Sequence, residues 1–503
     1  MALQLTSLNR FVSRDFPFPV LALCSLLVHL ELALMQHLSD HHHRHFLFLS
    51  MEGGSPGHRV TPCALVDIFV YNPTLARDET DEHKKIIAYY PNTIPLETQK
   101  FRIGLIQGLV AFCSTFRPSN PCRFVEFENQ VSVILNPDRN LWFVLSVSTP
   151  FVELSTTSLS KTGIRTKKYL DLDMDVLSTL LMRVYEMFVF FHGPMQRDGS
   201  KLDALKACLS DFLSKYVPFI RFSQFPYFVN IEGLPFLSCD RSTFLRVQSF
   251  INHTHVKFSN LVSSAALFRH KVIHRGSELS DLDIKIFCHL EQDFMRPFLE
   301  SIKLDDCKQD FTSLVRVNSS TGSRIILKPI TVYIGEMHSP CKLFVFKQQK
   351  LSLFFLFKHD TDLKDFLELR QSLDARVTDV IQVLSLSNRD SKAAGKSLSD
   401  DISYRFFYCN ELNLALKNSS SGKSMSSTFD SAKALKSIHQ RLLIGNSEVL
   451  IRTRSDGWFY GYRSAVLNRF YISSISGASE DESQVVRLFK RIETQYLSNA
   501  FLL

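Results

Sequence analysis

Residues 64–73, ALVDIFVYNP, decide how the rest of the chain is read. Apolar, β-branched and aromatic residues fill Ala64 to Val70 with Asp67 as the polar exception, and Asn72-Pro73 then stops the ladder, since proline brings no donor to a sheet. The stretch is a buried strand that delivers Tyr71 and Asn72 to a sheet edge. After the polar loop RDETDEHKK, IIAYYP at 86–91 gives a second strand, and the two form a hairpin.

LETQKFRIGLIQGLVAFCSTF at 96–116 reads as a helix, with Pro95 in front and Pro118 just beyond. It carries two apolar stripes. Phe101, Leu105, Leu109, Phe112 and Phe116 suit the sheet; Ile103, Ile106, Val110 and Cys113 form a neighbouring stripe that one sheet cannot also cover. Gly104 and Gly108 lower helix stability by up to about 1 kcal/mol each and let a second backbone come close. Ile103, Gly104, Ile106, Gly108 and Val110 are therefore the expected partner-facing set, the other reading being a second helix of the same domain lying there. RFVEFE near 123–128, QVSVIL at 130–135 and LWFVLSVS at 141–148 are three short strands, and a long Leu-, Met- and Phe-rich helix spans 169–191. Two strands, helix, three strands, helix is the longin, roadblock-like arrangement: an α+β unit with an antiparallel sheet sandwiched by helices.

At 503 residues the chain is too long for one ordinary core, and about three domains are expected. Forty-three phenylalanines, mostly in short alternating or solid apolar runs, point to many strands packed under helices. The net charge of +8 is mild and compatible with anionic membrane surfaces, but no dense Lys/Arg run of the kind that tracks nucleic acid is present. Ten scattered cysteines without a C-x-x-C pair read as free thiols of a cytosolic protein. Residues 16–38 are apolar but interrupted by His29 and Glu31, and His41, His42, His43 and His45 lack metal-site spacing. Residues 1–63 are read as an N-terminal extension, with the domain-bearing part starting near Met51 and its first strand at 64.

Downstream the pattern restarts. A helix at 200–220, the stretch FPYFVNI, the helical FLRVQSFINHTHVKF and the strands LVSSAALF and KVIHR come first. A helix from Leu279, a polar loop at 303–324, strands in ILKPITVYIG, CKLFVFKQQ and LSLFFLFKH, and a helix from Asp362 to about Leu384 follow. SNRDSKAAGKSLSDD at 387–401 reads as a linker. Beyond it come ISYRFFYCN, the polar loop KNSSSGKSMSS, a helix at 431–443, strands either side of Asp456-Gly457 and a last helix at 481–497. The divisions are thus 64–196 for a first longin domain, 197–386 for a linking helix and second, and 402–503 for a third.

Several pieces resemble one family. FVYNP at 69–73, YYPN at 89–92, FCSTFRPSNP at 112–121, NPDRNLWFVLSV at 136–147, FLRVQSFIN at 244–252, YRFFYCNELNLA at 404–415 and SDGWFYGYRS at 455–464 are similar to signatures of the vacuolar fusion protein Ccz-one family. The resemblance runs from about residue 64 to the end. It implies three longin units and a subunit that, with a Mon-one-type partner, forms an obligate heterodimer exchanging nucleotide on a late-endosomal Rab-seven-type GTPase. It also implies a possible third regulatory subunit and cytoplasmic residence with recruitment to late endosomes, lysosomes and autophagosomes. Tyr71, Asn72, Pro73 and Thr74 at the strand end are the expected GTPase contacts, the alternative for Asn72 being a turn residue before proline. No cofactor, metal, nucleic acid or active-site chemistry is expected. Gly395-Lys396-Ser397 and Gly422-Lys423-Ser424 lack the first glycine of a phosphate loop, and Gly53 to Gly57, which fits G-x-S-x-G, precedes every strand. A longin scaffold that does not accelerate exchange is the competing reading.

Overall fold

The computed structural model describes residues 58–476 except 77–78, 117–120, 139, 156–164, 170–171, 173, 196–201, 221–232, 238, 292–323, 327–328, 336, 394–402, 411–413, 419–428, 454–456 and 465–468; beyond 476 it describes 483, 486, 487 and 490. The extension up to residue 57 with its histidine run, FPYFVNI, nearly all of the 303–324 loop, the linker from 394 and most of the KNSSSGKSMSS loop lie outside the described residues, as does most of the 481–497 helix. The chain divides after His58, and the architecture below is that of Arg59–Leu503.

Strands β1 (His58–Thr61), β2 (Leu65–Tyr71) and β3 (Ile86–Tyr90) precede helix α1 (Leu96–Phe116). Then come β4 (Phe124–Glu126), β5 (Gln130–Asp138), β6 (Leu141–Ser148), β7 (Phe151–Ser155), β8 (Arg165–Tyr169), α2 (Met174–His192) and α3 (Leu202–Tyr216). The first sheet runs β3-β2-β6-β5-β4 and is antiparallel throughout. β7 and β8 join β1 in a separate small sheet. The long helix expected from 169 starts at Met174 instead, because the polar stretch Arg165 to Tyr169 pairs with Phe151 to Ser155 as a strand.

The second unit has β9 (Leu234–Pro235), α4 (Arg241–Lys257), β10 (Leu261–Phe268), β11 (Lys271–Arg275) and α5 (Asp281–Leu290). β12 (Arg324–Ile326), β13 (Ile330–Ile334), β14 (Ser339–Gln348), β15 (Leu351–Lys358) and α6 (Leu363–Ala393) complete it. Its sheet is β11-β10-β15-β14-β12, with β13 also on β14. The third has β16 (Ser403–Asn410), β17 (Ala415–Asn418), α7 (Phe429–Ile444), β18 (Glu448–Thr453), β19 (Gly457–Ser464) and β20 (Arg469–Ser476), in the order β18-β19-β20-β16-β17-β9. Counted within its own unit, each sheet has the same order: second strand, first, fifth, fourth, third. Three copies of one ββ-α-βββ unit are thus present, the α+β longin arrangement.

Local chemistry fixes the elements. Asp240 caps α4 by accepting from the Thr243 N–H at 2.9 Å, and Ser280 with Asp283 forms a capping box on α5. β15 is buried on both faces, which is why LSLFFLFK reads as a solid apolar run: Phe354 and Leu356 face one core, Phe355 and Phe357 the other. The first core is shared. Ile68, Val70 and Phe143 of the first sheet, Leu180 and Phe188 of α2, Phe212 of α3, and Phe287 and Phe354 of the second unit all belong to it. On the far side of the second sheet, α4 and α6 cover Phe344, Phe346, Phe355 and Phe357.

Two boundaries differ from the sequence reading. α6 continues to Ala393, into the stretch taken as linker, because SNRDSKA holds neither glycine nor proline to stop a helix. And β9, within the second division, hydrogen-bonds in parallel to β17 of the third sheet, while the adjacent Phe236 and Leu237 pair with Val272 of the second.

Candidate docking surface

Alternation along β2 sends Ile68 and Val70 towards α2 and α3, and Phe69 and Tyr71 towards α1. Tyr71 is 1% exposed and stacks on Trp142 at 6.3 Å. It is therefore a core residue and does not stand at the exposed sheet edge expected for it; the strand continues one residue further under the helix than its place beside Asn72 suggests. Asn72 acts as the turn residue of the alternative reading. Its N–H donates to the Lys85 carbonyl at 2.8 Å, and its Oδ1 accepts from the Thr74 N–H at 3.0 Å and the Thr74 hydroxyl at 2.7 Å. Pro73 opens the single 3-10 turn Pro73–Leu75, where a missing donor costs nothing. Of the four predicted residues, Asn72, Pro73 and Thr74 remain at the surface, with Thr74 exposed.

The two stripes of α1 take the opposite roles from those expected. Ile103, Ile106 and Val110 are buried against Phe69, Tyr71, Tyr89, Ile134 and Val144. Phe101, Phe112 and Phe116, assigned to the sheet, are exposed, Phe116 by 50%. The reason is volume. The sheet already presents three large rings on this side, which leaves room for branched aliphatic side chains between sheet and helix and none for a further layer of phenylalanine. Spacing alone reports that both stripes are apolar; it cannot report the depth of the groove beneath them.

Gly104 and Gly108 lie on the outer face of α1. Both are exposed, and among the described residues nothing beyond the helix's own adjacent backbone lies within 4 Å of where a Cβ would stand. Phe101, Gly104, Gly108, Phe112 and Phe116 follow i+3/i+4 spacing along the outer face, with Phe112 and Phe116 edge-on at 4.9 Å. The corresponding helix of the second unit, α5, is treated differently. Its Ile284, Ile286, Phe287 and Leu290 are all buried; Phe287 meets Phe190 of α2 edge-on at 5.9 Å, and His289 Nε2 meets the Tyr216 hydroxyl of α3 at 3.0 Å. The same position in the fold is covered from within the chain in one unit and open in the other.

One charged group lies under the open helix. Asp67 is fully buried, and its Oδ2 accepts from the Tyr89 hydroxyl of β3 at 2.7 Å and from Arg102 Nη1 of α1. Burial, with the Asp67 charge second, pushes the Tyr89 phenol up. The Arg102 partner, 35 residues away, was not foreseen; the lone carboxylate in an apolar strand was the signal that it needed one. Among the described residues no three His, Cys, Asp or Glu side chains gather as a metal site, and no helix is long and apolar enough to cross a membrane.

A model of the first longin domain of INTU, CCZ1 and HPS4 matches residues 65–193, the segment holding this surface. The vacuolar fusion protein CCZ1 homologue of Nematostella vectensis is 27% identical over 88% of this chain and 99% of its own length. Those of Dictyostelium discoideum and Danio rerio are 26% and 23% identical over 84% and 90% of this chain, and 97% and 98% of their own lengths. With three copies of the longin topology and matches over 84–90% of its length, the chain is similar to the vacuolar fusion protein CCZ1 homologues.

Proposed function

We propose that this chain is one half of a heterodimeric guanine nucleotide exchange factor acting on a Rab-seven-type GTPase in endosome and autophagosome to lysosome traffic. The observation that carries the reading is the open outer face of α1, apolar around two unobstructed glycines, where the equivalent helix of the second unit is covered. A Mon-one-type longin subunit would cover it, and the strand-end turn Asn72 to Thr74 would lie at the GTPase. Exchange of this kind needs shape. A protein that binds a displaced switch conformation weakens nucleotide by the same coupling energy. No active-site chemistry is invoked. The chain would reside in the cytoplasm and reach endosomal membranes through the complex, with a third regulatory subunit docking elsewhere.

The test is release of fluorescent GDP from such a GTPase with this chain, a Mon-one-type subunit, and both. Acceleration with both subunits together, lost in Asn72→Ala, supports the exchange reading and the strand-end site. A stable heterodimer with no acceleration leaves a longin scaffold, favoured by the same open face. Absence of a heterodimer removes both.

A further inference from the structure

α1 is held on its sheet by a narrow apolar seam. Of its 21 residues only Ile103, Ile106 and Val110 are buried, and these three aliphatic contacts select which stripe faces the sheet while supplying no directional bond to hold the helix at one exact rotation. Beside that seam stands the Asp67 carboxylate. It is anchored in β2, takes the Tyr89 hydroxyl from β3 and Arg102 from α1, and has its second oxygen, Oδ1, buried without a hydrogen-bond partner among the described residues. Buried ion pairs are often no more stabilising than apolar side chains of the same volume, and one carrying an unsatisfied carboxylate oxygen is a poor way to hold a helix down. What such a pair does supply is direction, since a guanidinium meets a carboxylate in few orientations and a buried aliphatic contact tolerates many. Arg102 follows Phe101 in the chain and lies two residues before Gly104, so fixing its side chain fixes where the outer face points.

We propose that Asp67, Tyr89 and Arg102 are positioning residues that set the rotation of α1, and with it the partner-binding face, at no gain in fold stability. This rests on the docking reading above. The two part company in the triple variant Asp67→Leu, Tyr89→Phe, Arg102→Met. The expected result is an unchanged or higher Tm, faster amide hydrogen exchange along 96–116 in the free chain, and affinity for a Mon-one-type subunit weakened by about tenfold or more. Unchanged exchange along α1 with affinity within about twofold of the parent would overturn the inference, as would a fall in Tm that tracks the loss of affinity. Should the triple variant not fold, that outcome too counts against it, because the clamp would then be structural. Arg102→Lys, which keeps the charge and loses the planar fork, is expected to weaken binding with Tm preserved. If the parent chain does not bind the partner, the docking reading fails, and the hydrogen-exchange comparison still decides whether the clamp positions the helix.

Discussion

His274 sits between β11 and α4, where its Nδ1–H donates to Gln248 Oε1 at 3.0 Å and its Nε2 lies 3.5 Å from Ser264 Oγ. His255 reaches the same hydroxyl at 2.9 Å. Burial, and then His255, pull the His274 imidazole down to about 4, so it is neutral in the fold and chargeable in the unfolded chain. A depressed histidine gives stability that is present above its unfolded value near 6.5 and lost as pH falls from there towards 4. The amount is roughly 3 kcal/mol by linkage. Urea midpoints at pH 7 and pH 5 should therefore fall steeply in the parent and less in His274→Gln. Equal slopes in both would remove His274 as the source. At Gly461 the constraint is space. An added Cβ would stand 2.2 Å from Ile438 Cγ2 of α7, in the core of the third unit. Gly461→Ala is expected to cost about 1–3 kcal/mol, and the companion change Ile438→Ala should restore part of that loss in a double-mutant cycle.

For elements, α1 makes the sharpest expectation. Gly108→Leu adds a good helix former where nothing is touched, so the free chain should gain up to about 1 kcal/mol, while assembly with a longin partner is lost. Thermal melting and analytical ultracentrifugation of the pair check both halves; a stable variant that still assembles would move the interface off this face. The bounds of α1 were legible, since prolines stand close to either end, and so were β10 and β11, two short apolar runs separated by a brief polar turn. Which stripe of α1 faced inward was not, because that depends on Phe69, Tyr71 and Tyr89 arriving from two other strands. β8 was hidden by its polar composition, and β9, two residues long, carries no period to detect. The strand end was found, but the inward turn of Tyr71 required knowing on which side Ile68 lay.

Across the molecule, the first two units are not separable bodies of core. α2 places Leu180 and Phe188 in the same cluster as Phe287 and Phe354 of the second unit, so a fragment ending at 196 would expose that face. It is expected to aggregate or bind a hydrophobic dye, and a fragment running through Ala393 to fold with a cooperative melt; a soluble, cooperatively melting 59–196 would contradict the shared core. The third unit has its own small cluster around Ile438, Leu442 and Phe459, yet its sheet ends on β9. Residues 234–237 give their backbone to β17 on one side and to Val272 on the other. Synthesis makes this segment long before β17 exists. Until the last hundred or so residues emerge, a nascent chain carries half of a ladder that only its own C-terminal end can complete, so the vulnerable interval for chaperone capture or strand exchange between neighbouring copies falls late in translation.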